Sequence, residues 1–226
     1  MDNLIEKHKL SGDPVNFSLA NIPDQNWNEE WEKNFEPVII ANKFLIRAPF
    51  HFVDAPHLTT FTISPKMAFG TGHHSTTQLM IELMMTSDMH DKKVLDLGTG
   101  TGILAIFAAY FGAREIMAID NSTEAIDCTQ ENIEINNCTK ITASVSEIEE
   151  IKIRSFDIIL ANINRNTLTE NASYLAAMLS KNDVLLISGF YEKDIQYISA
   201  IFEKENLSFK TSLSKNTWAA CQYIKD

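Results

Sequence analysis

The run Val94-Leu95-Asp96-Leu97-Gly98-Thr99-Gly100-Thr101-Gly102 joins a short apolar stretch to three alternating glycines. An apolar helical pattern then begins at Ile103. Glycines at such a junction let the chain turn sharply and let a ligand lie against backbone N–H groups with no Cβ in the way. Asp120 closes the next apolar run, about twenty residues on, where a carboxylate can accept hydrogen bonds from both hydroxyls of a ribose. A dinucleotide loop would place its third glycine three residues after the second. That position is Ile103, and the glycine stands instead at 102. The G-x-G-x-G spacing behind Asp96 is the variant used to bind S-adenosylmethionine. The candidate cofactor-binding residues in this stretch are Asp96, Gly98, Thr99, Gly100 and Asp120.

Two further segments carry polar groups at useful places. Ala161-Asn162-Ile163-Asn164 ends a later apolar run, and ligands of open parallel sheets gather outside the carboxyl ends of the strands. An asparagine there, with neighbouring carbonyls, can hold an amine by its N–H groups and aim its lone pair at a methyl carbon, so Asn162 is the candidate catalytic residue. The prolines and tyrosine of the N-P-P-Y motif at this place in other amino-methylating enzymes are absent. Upstream, Met67-Ala68-Phe69-Gly70-Thr71-Gly72-His73-His74-Ser75-Thr76-Thr77 is a glycine- and hydroxyl-rich loop before a helix whose apolar face is Leu79, Met80, Leu83 and Met84. Thr77 is expected to open that helix, as a cap or as a contact to the cofactor's carboxylate. His73 and His74 have no third ligand nearby, so no metal site is expected.

These segments need a scaffold of alternating strands and helices. Strands are expected at Lys93–Leu97, Glu115–Ile119, Ile141–Val145, Phe156–Ala161 and Val184–Ser188. Helices are expected from Ile103 to Phe111, from a cap at Asn121 to the Asn136-Asn137 pair, at Thr167–Leu179 and at Asp194–Glu205. Alternation of this kind predicts a doubly wound, mostly parallel sheet. The last two runs, Phe209–Leu213 and Trp218–Ile224, are separated by only Ser214–Thr217, too short for a parallel crossover, so they must pair antiparallel. Ahead of this region, Trp27, Trp31 and Phe35 at i, i+4 and i+8 suit a short helix. Val38–Ile40 and Phe44–Ile46 flank Asn42 as a hairpin, and Leu58–Ile63 is another strand-like run. Residues 1–62 are expected to form an N-terminal segment and linker, and residues 63–226 the cofactor-binding domain.

Composition narrows the function. A chain of 226 residues that is 45% hydrophobic and 22% charged has ordinary globular proportions. A net charge of −11 argues against direct nucleic-acid binding, which needs a basic face. No stretch approaches the ~20 apolar residues of a membrane span, and Met1–Leu10 has no export signal. The three cysteines lack metal-ligand spacing, and a cytoplasmic location is expected.

Taken together, the motifs resemble the bacterial ribosomal protein L-eleven (L11) methyltransferases from about Ile22 to the C-terminus. The resemblance rests on Trp27 and Trp31, the loop Met67–Thr77, Asp96–Ile106, Ala161–Ile163, Ser188–Phe190 and Trp218. It implies a class I methyltransferase domain using S-adenosylmethionine, with ribosomal protein L11 as substrate, methylated on lysine ε-amines and an N-terminal α-amine. Thr77, Gly98, Asp120 and Asn162 match the family's cofactor contacts, with Asn162 also beside the entering amine. The family carries an N-terminal recognition domain, for which the twenty or so residues before Ile22 are too few. The competing readings are a same-fold methyltransferase acting on another protein or a small amine, a dehydrogenase, which Ile103 disfavours, and a non-catalytic binding module.

Overall fold

The computed structural model describes residues 35–65, 69–151 and 155–226, and within it Glu36–Asp226 forms one compact unit. The expected helix around Trp27 and Trp31 and the first two residues of the Met67–Thr77 loop lie outside the described residues.

Ten strands are described. β1 (Val38–Ile40), β2 (Phe44–Arg47) and β3 (Thr59–Thr62) make a small sheet in which β1 and β2 pair antiparallel and β2 and β3 parallel. Ala41 and Asn42 take the left-handed conformation at the β1–β2 turn, the geometry the expected hairpin requires. The main sheet contains β4 (Lys93–Leu97), β5 (Glu115–Asp120), β6 (Ile141–Val145), β7 (Phe156–Asn162), β8 (Leu179–Tyr191), β9 (Leu207–Lys215) and β10 (Trp218–Lys225). Its order is β6-β5-β4-β7-β8-β10-β9, parallel throughout except for β10, which runs antiparallel to both β8 and β9. The predicted fold class, a doubly wound mostly parallel sheet with an antiparallel C-terminal pair, is the one found. The β9–β10 turn is tighter than Ser214–Thr217, because Trp218 already pairs with Lys215. Only Asn216 and Thr217 remain outside the ladder, both at positive φ, as a two-residue hairpin turn demands.

Among the described residues, six α-helices flank the sheet: α1 (Ser75–Met84), α2 (Ile103–Tyr110), α3 (Thr123–Ile135), α4 (Arg165–Glu170), α5 (Ala172–Ala177) and α6 (Ile195–Phe202). Adjacent strand residues feed opposite cores. Val94, Ile158 and Leu186 join the cluster that includes α1, α2, Phe44 and Phe61, and Leu95, Ile159 and Leu185 join the one that includes Leu168, Leu175, Ile198 and Phe202. Both faces are therefore covered, which is why these strands are apolar runs and not alternating ones. The small sheet is stitched to the first core by aromatic rings: Phe44 meets Phe107 edge-on at 5.1 Å, and Phe61 meets Phe107 at 4.3 Å.

Several element boundaries differ from expectation. Thr167–Leu179 is two short helices broken at Asn171, whose side chain donates to the Thr167 carbonyl at 2.9 Å and so satisfies the end of α4. The strand expected at Val184 starts at Leu179. The cap of α3 is Ser122, not Asn121: Ser122 Oγ accepts from the Ala125 N–H at 3.2 Å. Asn121 is displaced from that role because Asp120 Oδ1 accepts from the Ser122 N–H at 3.1 Å and fixes the chain one residue further on.

Candidate active site

A cavity of about 630 Å³ opens at the carboxyl ends of β4, β5, β6 and β7, a size usual for small-molecule sites. The glycine loop forms its floor. The Gly98 and Thr99 N–H groups both donate to the Ile119 carbonyl at 2.9 Å, which folds the loop over the end of β5. The Gly100 N–H then donates to Asp120 Oδ2 at 3.0 Å. Gly100 has φ +57, and a Cβ there would strike the Phe69 carbonyl. That collision would part the glycine loop from the segment clasped to it. The clasp consists of Thr101 N–H to the Phe69 carbonyl at 3.0 Å and Thr101 Oγ1 to the Gly70 carbonyl at 2.6 Å.

Of the residues expected to bind the cofactor, Gly98, Gly100, Asp120 and Asn162 line the cavity. Asp96 and Thr99 lie beneath the loop. Asp96 is 1% exposed, and its Oδ2 accepts from Thr99 Oγ1 at 2.6 Å and from the Ala105 N–H at 3.1 Å. Burial pushes the Asp96 carboxyl up to about 6; those two hydrogen bonds oppose the rise, and the nearby Asp120 charge adds to it. Thr77 does not open α1. His74 is the cap, accepting from the Thr76 N–H, and Thr77 is the third residue of the helix, fully buried. Thr76, one residue earlier, faces the cavity. No cluster of three or more potential metal ligands occurs among the described residues.

Among the described residues, the buried side-chain oxygens without a hydrogen-bond partner are Thr77 Oγ1, Asp96 Oδ1 and Asn162 Oδ1. Buried polar atoms are paired in the great majority of cases, and each orphan costs about 1–3 kcal/mol. All three belong to residues singled out by the sequence motifs, and all can accept a hydrogen bond, while the Thr77 hydroxyl can also donate one. Of the three, Asn162 lines the cavity, and its Oδ1 suits a ligand that carries N–H and O–H donors, as S-adenosylmethionine does with its ammonium and hydroxyls.

The structure adds wall residues that the motifs did not mark. Ser146, Glu147 and Ile148 follow β6 and line the cavity, as do Ser122 and Glu124. β6 is weakly patterned, and only the rule that ligands sit beyond strand carboxyl ends could have pointed to its C-terminal loop. Gly189 in β8 is also part of the site. A Cβ there would overlap the Ile163 carbonyl, and its φ is +100, so only glycine lets β8 lie against the Asn162–Asn164 turn. At the mouth, Phe69, His74, Trp218 and Tyr191 form a row of rings with successive centroids 5.4, 4.7 and 4.4 Å apart.

The sheet order, the antiparallel C-terminal strand and a glycine-loop cavity at the strand ends define the class I methyltransferase fold. The structure is similar to one described as ribosomal protein L11 methylase from Lactobacillus delbrueckii subsp. bulgaricus, with a TM-score of 0.77 and 23% identity over 85% of this chain and 100% of that one. The family described as "Ribosomal protein L11 methyltransferase (PrmA)" matches residues 1–226. A curated relative of that name from Porphyromonas gingivalis is 41% identical over 99% of this chain and 78% of its own length. Another, from Bacteroides thetaiotaomicron, is 40% identical over 98% of this chain and 80% of its own. The chain belongs to the ribosomal protein L11 methyltransferase family. The similarity covers the whole chain and does not begin near Ile22, so the residues before it are family sequence as well. Among the described residues, no helix is long and apolar enough to cross a membrane.

Proposed function

We propose that the chain transfers a methyl group from S-adenosylmethionine to amines of ribosomal protein L11, namely lysine ε-amines and the N-terminal α-amine. The observation that carries this reading is the buried, unpartnered Oδ1 of Asn162 on the wall of the glycine-loop cavity, in a chain whose relatives bear the L11 methyltransferase name. S-adenosylmethionine supplies an electrophilic methyl on a sulfonium. Gly98 and Gly100 present backbone to it. Asp120 holds the ribose: its two oxygens each accept one backbone N–H, and a carboxylate oxygen keeps a second lone pair for a hydroxyl. Asp96 braces the glycine loop from below through Thr99, and the Thr77 hydroxyl donates toward the cofactor's carboxylate. Residues 1–62 serve recognition and linkage, and residues 63–226 hold the cofactor.

Asn162 is the residue assigned to the chemistry. It stands at the last position of β7 with a buried, unpartnered Oδ1, able to accept one N–H of the incoming amine and orient its lone pair. Orientation is the main service such a site renders, since alignment of nucleophile, carbon and leaving group removes much of the barrier. A free lysine has a pKa near 10.4, and transfer out of water favours its neutral form. The test is calorimetric titration with S-adenosylmethionine, then reaction with purified L11 and mass spectrometry of the product. Cofactor binding with methyl on lysine and the N-terminus supports the reading. Cofactor binding with methyl only on a small amine or another protein would replace the substrate, and no cofactor binding would end the proposal.

A further inference from the structure

His74 is the titratable group nearest to a general base at the mouth of the cavity, and its hydrogen bonds decide whether it can be one. The backbone N–H of Thr76 points at His74 Nδ1 across 3.3 Å, and Thr76 Oγ1 lies 2.8 Å from the same nitrogen. A backbone N–H can only donate, so Nδ1 must be the acceptor. The reverse arrangement, with Nδ1 protonated and donating to the hydroxyl, would set two N–H groups face to face. It would also strand the amide of Thr76, a residue only 1% exposed, and buried donors are rarely left so. The proton of the neutral ring is therefore on Nε2, which has no hydrogen-bond partner among the described residues.

We infer that His74 is a locked neutral imidazole: its only lone pair is spent capping α1, so it positions the mouth of the cavity and donates through Nε2–H instead of removing a proton from the substrate amine. Its ring lines the cavity and stands edge-on between Phe69 and Trp218. The surroundings favour the uncharged form. Partial burial lowers the affinity of His74 for a second proton, and a cation at a helix N-terminus is opposed by the helix dipole. The carboxylates on the same cavity wall are Asp120, Glu124, Glu147 and Glu149, and none forms an ion pair with His74. From the elements packed against it, His73 faces Thr71 and the Glu36 carbonyl, and Lys215 of β9 donates to Gln78. The proton of the substrate amine then leaves by a route other than His74.

The decisive measurement is ¹⁵N-detected NMR of the His74 ring in the full chain, which needs neither substrate nor activity. The expected result is one neutral Nε2–H tautomer from pH 7 to 9, with protonation only below 6.5. An Nδ1–H signal, or a charged ring at pH 7, overturns the inference. The kinetic arm rests on the proposed methyl transfer and uses His74→Asn, since asparagine also caps helices well. Turnover should fall by less than about tenfold, and the variant's pH–kcat curve should superimpose on the parent's after scaling. Loss of about 10²–10⁴-fold, the usual worth of a general base, together with disappearance of a limb near pH 6–7, would overturn it. If no methyl transfer to L11 is seen at all, the proposed substrate fails while the NMR result still stands or falls by itself.

Discussion

Asp96, Asp120 and Asn162 show how three polar side chains around one loop acquire different work from their surroundings. Asp120 is spent half on the protein and half toward the cavity, so Asp120→Ala should weaken S-adenosylmethionine binding by about 1.5–3 kcal/mol, the range for hydrogen bonds to a charged group, as read by calorimetry. Asn162 Oδ1 has no partner in the protein to lose. Asn162→Ala should therefore lower kcat by more than it weakens cofactor affinity, since its interaction matters most when the amine is aligned; single-turnover rates beside a cofactor titration separate the two. Asp96 is the opposite of a salt-bridged carboxylate. Burial raises its folded value to about 6 from 3.8, so the unfolded chain gives up this proton first as pH rises. Its contribution is neutral below pH 3.8, and stability is lost progressively between there and about pH 6, by ~3 kcal/mol at ~1.4 kcal/mol per unit. Urea unfolding from pH 4 to 7 should show that loss in the parent and not in Asp96→Asn. All three residues were legible in the sequence because they sit at strand ends beside a diagnostic loop. The burial of Thr77 was not legible, since helix phase depends on where the cap falls, and the cap is a histidine.

At the scale of elements, what the sequence conceals is competition for the same backbone groups. Asn121 and Ser122 are both good caps with an acidic residue downstream, and nothing local separates them. The choice is made by Asp120, whose carboxylate takes the Ser122 N–H and so shifts the helix start. Ser122→Ala should then cost about 0.5–2 kcal/mol, and Asn121→Ala, at an exposed position, a few tenths at most; chemical denaturation of the two variants checks the order. The same kind of competition splits the helix expected at Thr167–Leu179, where Asn171 bonds back to the Thr167 carbonyl. By contrast the strands, the hairpin at Asn42 and the antiparallel end of the sheet were legible. Apolar run length, a left-handed turn residue and the shortness of the β9–β10 connection each admit one arrangement. Gly189 stood in the sequence only as part of the Ser188–Phe190 motif, because its reason for being glycine, the Ile163 carbonyl, comes from a residue more than twenty positions away.

The whole molecule joins a cofactor domain to a small N-terminal sheet that packs into the same core. Phe44 and Phe61 meet Phe107 and Tyr110 of α2, and Asn136 at the end of α3 bonds both the N–H and the carbonyl of Thr62 at 3.1 and 2.7 Å. The cavity-forming loop is tied to this region too, through His73 Nε2 and the Glu36 carbonyl at 2.8 Å. Glu36–Asp226 is thus expected to carry everything the cofactor needs. The recognition role proposed for the N-terminal segment makes the contribution of the residues before Glu36 one of remote contacts with the substrate protein. Remote contacts hold a substrate while its reactive group is aligned and so affect the protein substrate more than the cofactor. A chain beginning at Glu36 should unfold cooperatively and bind S-adenosylmethionine with the parent's affinity, yet methylate L11 with a kcat/KM at least about tenfold lower. The measurement is a cofactor titration and a methyl-transfer rate for both chains. Equal rates would place recognition of L11 within residues 36–226 and remove the recognition role from residues 1–35.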